Sequence, residues 1–299
     1  MSTRPADPRD GAPLRDTTSL RVMTWNVWWR FGDWRARREA LLAVLRAEDP
    51  DVVGLQEVWA DADENLAHWL GAELGMHVAW SPSPAPERWR RRLLFNGEDP
   101  AVANSVEFGN AVLSRWPFLS EEAVDLPGGG WEDEGRTALQ VLVDAPRRPL
   151  PFTTTHLNSS PAESAVRVAQ VRELVPFVAA GRVRDERYPP VLTGDFNAVA
   201  ESDELRLCHG YLTPGPVPGF VLVDSWRFAD PRDPGFTWDR ANPFVARVHQ
   251  PSARIDHVLV GLAPFSGVGS VRDVRLAATA PVDGVWASDH AAVVVDLEA

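Results

Sequence analysis

Five short stretches of the chain place polar side chains at or just beyond the end of an apolar run, where loops rest on a rigid scaffold. In chain order they supply Asn26, Glu57, His156 with Asn158, Asp195 with Asn197, and finally Asp256 followed by Asp289 and His290. Carboxylate and amide oxygens are ligands for hard divalent cations, and imidazoles exchange protons near neutral pH. The residue types therefore suit metal binding and proton transfer.

The spacing within these stretches adds to their residue types. His156 and Asn158 are two residues apart, as are Asp195 and Asn197, so each pair shares one face of an extended chain. Glu57 continues directly from an apolar strand pattern. A buried carboxylate is costly unless it is paired or ligates a cation, so Glu57 needs a partner.

Each residue taken alone also has an ordinary structural explanation. Asn26 could form a turn, His156 could be a hydrogen-bonded structural histidine, and Asp195 could cap the next helix. Their conjunction, each after a strand-like run, is improbable by chance. His257 directly follows Asp256 and points to the opposite face of a strand, so we expect a structural role for it.

Apolar patterns predict the strands and helices that must position these side chains. The predicted strands are Arg21–Val27, Asp51–Val58, Asn110–Ser114, Thr137–Asp144, Leu150–His156, Val191–Thr193, Arg254–Val260 and Ala291–Leu297. One helix is predicted over Trp34–Glu48 with Asp33 as its N-cap. A second is predicted to follow Ser160, in a capping box that ends at Glu163, and Pro176 should kink or shorten it.

Composition and charge exclude several classes of protein. The chain has 299 residues, 44% hydrophobic and 24% charged, which is typical of soluble globular proteins. Its 30 basic residues, all arginine, and 42 acidic residues give a net charge of −12, which disfavours avid binding to long nucleic acid.

Residues 1–20 contain no apolar run, and no later run is long enough for a membrane helix. We expect a soluble, cytoplasmic protein with no membrane anchor and no obligate protein partner.

The ordered set of polar residues resembles the endonuclease/exonuclease/phosphatase superfamily, which has the DNase I-like fold. The most specific matches are Gly194-Asp195-Phe196-Asn197 and Ser288-Asp289-His290. The resemblance implies an α+β fold, a four-layer αββα sandwich with two packed mixed β-sheets. It also implies that residues 20–299 form a single catalytic domain, after a flexible segment 1–19.

The resemblance implies a role for each polar residue. Glu57 is expected to be the principal ligand of Mg²⁺, with Mn²⁺ as a substitute, and Asn26 and Asp289 complete or support this site.

His290 would act on the phosphate or on the attacking water, with Asp256 orienting its ring. Asp195, Asn197 and His156 complete the expected catalytic set. Asp195 would position and deprotonate the water if His290 is a cation, Asn197 would bind the phosphate or the nucleophile, and His156 would donate to a non-bridging oxygen. A second metal site at Asp195 and Asn197, and the identity of the general base, stay open.

Substrate contacts are harder to predict. Asn110 and Asn158 could face the site, Trp238 lies in an insertion before Asp256, and Arg90 belongs to the cluster 88–92. That cluster either grips a phosphate or begins a solvated helix. The acidic residues 132–134, within a Gly-rich stretch, are expected to be solvated.

The sequence favours a divalent-metal-dependent phosphoesterase that hydrolyses phosphodiesters by in-line attack of water, on a nucleic acid, a nucleotide or a small diester. Its alternatives are a phosphomonoesterase for a small metabolite and a binding protein that has lost turnover. Cleavage at abasic sites is disfavoured because endonucleases of that kind have tyrosine in place of His156 and an acidic residue in place of Trp28.

Overall fold

Two mixed β-sheets form the centre of the protein in a computed structural model, which describes residues 18–95, 97, 99–103, 105–129, 133–181 and 188–299. Within these residues the first sheet has the strand order β11 (Val271–Ala277), β12 (Ala292–Glu298), β1 (Ser19–Asn26), β2 (Val52–Ala60), β4 (Glu107–Ser114), β3 (His77–Pro82). The second has the order β5 (Phe118–Asp125), β6 (Thr137–Val143), β7 (Leu150–His156), β8 (Val191–Asp195), β10 (Asp256–Gly261), β9 (Leu222–Asp224). Neighbouring strands are antiparallel except β1 with β2 and β7 with β8.

Helices cover the outer face of each sheet. The described helices are α1 (Trp34–Glu48), α2 (Leu66–Leu74), α3 (Pro86–Phe95), α4 (Pro100–Ala103), α5 (Ser164–Ala180), α6 (Asp203–His209) and α7 (Pro243–Ala246). Buried side chains of α1 to α4 pack on the first sheet, and those of α5 and α6 pack on the second. The expected αββα layering is therefore confirmed. None of the helices in the described ranges combines the length and apolar character needed to cross a membrane.

The sheets meet through an apolar layer to which alternate residues of each strand contribute. Val22 of β1 and Val52 of β2 face Phe152 of β7 and Val191 of β8, and all four are fully buried. Burial of each such side chain stabilises the fold by roughly 2 kcal/mol. Intervening residues such as Trp25 point instead toward the helices of the outer layer.

This layer becomes polar toward one edge of the sandwich. The side-chain amide of Gln56 donates to Thr24 Oγ1 at 3.0 Å and, across the gap between the sheets, to Thr154 Oγ1 at 2.7 Å. Gly54 lies below it, where an added Cβ would approach the hydroxyl oxygens of Thr154 and Thr193 to 2.7 Å. The absence of a side chain at Gly54 therefore allows the two sheets to approach closely.

Strand directions bring the functional segments to this edge. The parallel pairing of β1 with β2 ends there, with Asn26 opposite Gln56, and β2 continues to Ala60. In the second sheet, His156 at the end of β7 lies opposite Asp195 at the end of β8. Asp256 begins the antiparallel strand β10 directly opposite Asp195. In both sheets the parallel pairing thus ends at one shared edge.

Three local expectations about the helices have different outcomes. Asp33 caps α1 as expected, its side chain accepting a hydrogen bond from the backbone of Ala36 at 3.2 Å. The predicted capping box is wrong, because α5 begins only at Ser164 and the Glu163 carboxylate binds the side chain of Asn158 instead. Pro176 does not shorten α5, which continues to Ala180 with its apolar stripe buried. Residues 1–17 of the predicted flexible segment lie outside the described residues.

Candidate active site

Five of the predicted residues meet around one carboxylate oxygen, Oδ2 of Asp195. Asn26 Nδ2 donates to this oxygen at 3.0 Å. The Nε2 atoms of His156 and His290 lie 3.4 and 3.8 Å from it. The other ring nitrogen of His290, Nδ1, lies 2.8 Å from Asp256 Oδ2. These side chains come from both sheets and are all buried.

Glu57 reaches this cluster because β2 bulges where it meets β4. The pairing shifts between Leu55 and Val58, and Glu57 has a positive φ of 56°. A bulge of this kind re-aims side chains, so Gln56 stays between the sheets while Glu57 contacts Asn26. Its Oε1 accepts from Asn26 Nδ2 at 3.3 Å, and its Oε2 is buried with no hydrogen-bond partner among the described residues.

Several neighbouring carboxyl groups have raised pKa values, and burial is the largest cause for each of them. Burial raises the pKa of Glu57, although Arg136 and His290 oppose the effect. Burial and then the charge of Glu57 raise the pKa of Asp289 to about 6, against the opposing charges of His290 and Arg37. Buried carboxylates with a partnerless oxygen are a donor set that a hard divalent cation fits.

Asp195 has a raised pKa as well, and it belongs to a close group of possible ligands. Burial and the charge of Asp256 raise its pKa to about 6. Ligand atoms of Asp195, Asp256 and His290 lie within 4.8 Å of one another. Asp256 and His290 already bind each other, whereas Oε2 of Glu57 has no hydrogen-bond partner among the described residues.

The two histidines of the cluster differ in charge. Burial opposes protonation of His290, but the carboxylates of Asp256, Asp289 and Asp195 outweigh it and raise its pKa well above the ordinary value. Burial lowers the pKa of His156 well below the ordinary value, and the charges of nearby Arg136 and His290 lower it further. His290 is therefore a cation near neutral pH, whereas His156 is a neutral imidazole.

The Gly-Asp-x-Asn stretch after β8 orients both of its polar residues. Gly194 has a φ of 151° and lies so close to Thr155 that a Cβ would come within 2.1 Å of its carbonyl oxygen. Asn197 adopts a left-handed conformation, which asparagine tolerates, with a φ of 48°. Its backbone donates to Asp195 Oδ1 at 2.9 Å and its side-chain amide to the Leu157 carbonyl at 3.0 Å.

The residues predicted to bind the substrate are less closely grouped than those around Asp195. Asn158 is fully buried, donating to Glu163 and accepting from Gln170, so both ends of its amide are engaged within the protein. Arg90 lies on α3 and forms an ion pair with Glu87 one turn away. The cluster 88–92 therefore lies on a helix, and its role in binding a phosphate stays a prediction.

The other two residues predicted to bind the substrate, Asn110 and Trp238, lie beside the site. Asn110 donates to the backbone of Thr137 at 3.0 Å, and its Oδ1 has no partner in the part of the chain that the structure describes. It lines a small cavity next to His156. Trp238 is half-buried, and its backbone pairs with His290.

Sequence reasoning missed Arg136 and misplaced Glu134. Glu134, expected to be solvated, is only 2% exposed and accepts from Arg136 Nε at 2.8 Å, from Arg88 at 2.7 Å and from the Ser159 backbone at 2.8 Å. Its pKa, which burial alone would raise, is lowered by these partners. Arg136 lies in the chain between Glu134 and strand β6. A search for polar residues next to strands, as used for the other site residues, could therefore have identified it.

His257 has a structural environment, as expected. Its Nε2 donates to the Ala198 carbonyl at 2.9 Å, and its Nδ1 accepts from Arg254 at 2.8 Å. These two bonds require the neutral ring. Burial and the charge of Arg254 lower the pKa of His257 to about 4.

Comparisons with known proteins agree with this architecture. The profile of the Endonuclease/Exonuclease/phosphatase family matches residues 23–290. An endonuclease/exonuclease/phosphatase from Beutenbergia cavernae DSM 12333 is 27% identical, with a TM-score of 0.67 over 94% of this chain and 72% of that chain. No curated protein sequence matches the chain.

Two solved structures of lower identity share the fold. D. rerio TDP2 complexed with a single strand DNA product is 19% identical, with a TM-score of 0.69 over 94% of this chain and 100% of that chain. The catalytic domain of human nocturnin with a bound sulfate anion is 18% identical, with a TM-score of 0.67 over 93% of this chain and 94% of that chain. Fold, edge geometry and sequence match agree, and the chain belongs to the Endonuclease/Exonuclease/phosphatase family, whose members cleave phosphate esters.

Proposed function

We propose that the protein hydrolyses phosphodiesters with the help of a divalent cation, Mg²⁺ or Mn²⁺. The observation that carries the proposal is the buried Oε2 of Glu57, which has no described hydrogen-bond partner and lies among carboxyl groups of raised pKa. The cationic ring of His290 lies opposite these carboxylates. A cation and an imidazolium together match the charge of a phosphate that is being attacked.

Glu57 and Asp289 are the residues best placed to hold the cation. The side chain of Asp289 is 16% exposed, so it reaches from the buried cluster to the surface. Asn26 supports this site by donating to Glu57, and its Oδ1 keeps one lone pair beyond the bond from Trp28. The bound cation would neutralise charge on the phosphate and lower the pKa of water. One cation suffices for this scheme.

The other residues provide proton transfer and orientation. Asp256 fixes the ring of His290 through Nδ1, which leaves the Nε2 proton to donate to a non-bridging phosphate oxygen. Because His290 is already a cation, it cannot accept the proton of the attacking water. Asp195, with a pKa of about 6, takes that role, since an effective base has a pKa near the working pH. His156 and Asn197 donate to the phosphate or position the water.

A diester is favoured over a monoester by the surroundings of Asp289. One cleft beside it is lined by Phe236, Thr237 and Trp286, and another by Trp28 and Phe244. A phosphodiester carries two ester groups, and each cleft offers space for one of them. A nucleic acid or nucleotide is the substrate class that we propose, in keeping with the single strand DNA product bound to D. rerio TDP2.

The test is hydrolysis of bis-p-nitrophenyl phosphate with Mg²⁺, with EDTA, and by the variant Glu57→Gln. We expect EDTA to abolish turnover and the variant to lower kcat/KM by at least about 100-fold. The control is Glu122→Gln, which changes an exposed glutamate on β5. The monoester p-nitrophenyl phosphate should be a poorer substrate. Equal turnover with Mg²⁺, with EDTA and by Glu57→Gln would refute the proposal, and a preference for the monoester would select the phosphomonoesterase alternative.

A further inference from the structure

A buried arginine in the first turn of α1, Arg37, is not used by the proposed chemistry. It is only 2% exposed. Burial lowers its pKa to about 10, against the opposing charges of Asp289, Glu57 and Asp33, so the guanidinium is a cation at neutral pH. In the part of the chain that the structure describes, no carboxylate forms an ion pair with it. Because a buried charge of this kind is costly, other contacts must compensate for it.

Backbone carbonyl groups provide this compensation. An arginine side chain has five N–H donors in a rigid planar fork. Arg37 uses all five, each on a different carbonyl oxygen, at distances of 2.8 to 3.0 Å. The five acceptors belong to Val27, Trp28, Trp29, Phe31 and Ala287.

Four of these carbonyls lie in a turn, residues 27–31, that directly follows Asn26. Within the turn Trp28 and Trp29 have positive φ, 60° and 34°, which bulky side chains rarely adopt. Such a conformation persists only where the surrounding structure fixes it. Because four carbonyls of one turn converge on one guanidinium, Arg37 is the group that fixes it.

The same turn is bonded to two of the proposed cation ligands. The backbone N–H of Trp28 donates to Asn26 Oδ1 at 2.9 Å, which orients that amide. The backbone N–H of Trp29 donates to the Glu57 carbonyl at 3.0 Å, which joins the turn to the bulge of β2. The position of the turn therefore sets the positions of both ligands.

The fifth carbonyl belongs to the segment that carries the third proposed ligand, Asp289. Nη1 of Arg37 donates both to the turn and to Ala287, two residues before Asp289. Ser288 Oγ adds a second bond between these segments, to the Asn26 carbonyl at 2.7 Å. One side chain of α1 thus joins parts of the chain that are 250 positions or more apart.

We propose that Arg37 is a positioning residue, which holds in place, before any cation binds, the three proposed ligands Asn26, Glu57 and Asp289. The inference rests on the proposed function and assigns one more residue to its site. Lysine is no substitute, because an ammonium group has three donors and no planar fork. Charge alone does not explain the residue either, since a positive charge beside the site opposes the binding of a cation.

The test is a calorimetric titration of Mn²⁺ into Arg37→Lys, which keeps the charge, and into Arg37→Met, which removes it. We expect each variant to bind Mn²⁺ about tenfold more weakly than the wild type, as is found for residues that orient metal ligands. The stoichiometry should not change, because misplaced ligands lower the affinity whereas unfolded molecules lower only the number of sites. An unchanged affinity in Arg37→Lys, or a higher affinity in Arg37→Met, would overturn the proposal.

The matched control is Arg167→Lys on α5. Arg167 is also buried, 4% exposed, and donates to two backbone carbonyls and to Glu204. This change should lower the free energy of unfolding but leave the Mn²⁺ affinity unchanged. If Arg167→Lys weakened Mn²⁺ binding as much as Arg37→Lys, the loss would belong to buried arginines in general, and the specific role of Arg37 would be rejected.

Hydrogen exchange of the wild type tests the proposal without any variant. In the absence of a divalent cation the backbone amides of Trp28 and Trp29 should exchange slowly, and Mg²⁺ should change their rates little, because Arg37 already fixes the turn. Protection that develops only with Mg²⁺ would overturn the proposal. If the wild type binds no Mn²⁺, the proposed function fails. Faster exchange of the two amides in Arg37→Lys would then still support Arg37 as the group that holds the turn, and unchanged exchange would reject it.

Discussion

The carboxylate of Glu57 has one oxygen bound by Asn26 and one buried oxygen with no described partner. A buried acceptor left unsatisfied costs about 1–3 kcal/mol, and more when it is charged. Burial also raises the pKa of the neighbouring carboxyls of Asp195 and Asp289, each to about 6. Without a ligand, the cluster therefore lowers the stability of the fold. This is typical of groups that are arranged to bind a ligand and not to stabilise the protein.

His156 allows the catalytic role of a neutral donor to be tested. Its Nε2 lies 3.4 Å from Asp195 Oδ2, and its low pKa keeps it uncharged. We expect His156→Leu to lower kcat about 100-fold, the effect of removing one donor to developing charge. The control is His209→Leu, since His209 is buried elsewhere against the Leu222 carbonyl. Similar kcat values for both variants in the hydrolysis assay would contradict the role.

His257 predicts a pH dependence of stability. Its pKa is about 4 in the folded protein and 6.5 in a free side chain, so only the unfolded chain takes up a proton between these values. The neutral ring of His257 therefore contributes about 3 kcal/mol to the free energy of unfolding above pH 6.5. This contribution is lost as the pH falls toward 4. Urea unfolding of wild type and His257→Gln should show a difference in free energy that narrows as the pH falls. A difference independent of pH would contradict the assignment.

At the scale of elements, the bulge in β2 and the glycine before it act together. Gly54 lets the sheets approach, and the bulge then turns Glu57 into the gap that they form. An added methyl group at Gly54 would contact the Thr154 and Thr193 hydroxyls at 2.7 Å and force the sheets apart. The strand that aims Glu57 is thus also the strand that sets the spacing of the sheets.

We therefore expect Gly54→Ala to lower the free energy of unfolding by about 3 kcal/mol, the upper range for overpacking in a core. Gly267→Ala serves as a control. Gly267 has open space around it and a positive φ of 82°, so that change should cost only about 1 kcal/mol of backbone strain. Chemical denaturation measures both values. Equal losses would show that Gly54 is not a point of close approach.

The sequence predicts the strand ends better than the connections. Asn26, His156 and Asp195 each follow an apolar run, and the structure places all three at one sheet edge because strand pairing is set by the same apolar pattern. Glu134 was mispredicted because an acidic residue beside glycines is usually solvated, and its three partners are distant in sequence or follow it in the chain. The capping box failed for a similar reason, since Asn158 competes for Glu163.

At the scale of the molecule, each sheet contains one parallel pair of strands, and both pairs end at the same edge. The site therefore lies between the two sheets, and its charges come from both. The bulge at Glu57 and the turn that exposes Trp28 depend on backbone conformations with positive φ that no apolar pattern encodes. The polar residues at the strand ends were therefore predictable from the sequence, whereas the cleft beside Asp289 was not.

The most direct test of the central claim is a calorimetric titration of Mn²⁺ into the purified protein, since the claim is that the carboxylates around Glu57 hold one divalent cation. We predict a single site in the wild type, an affinity at least about tenfold lower in Glu57→Gln, and an unchanged affinity in the surface control Glu122→Gln. Binding of equal strength to the wild type and to Glu57→Gln, or no binding to the wild type, would contradict the account.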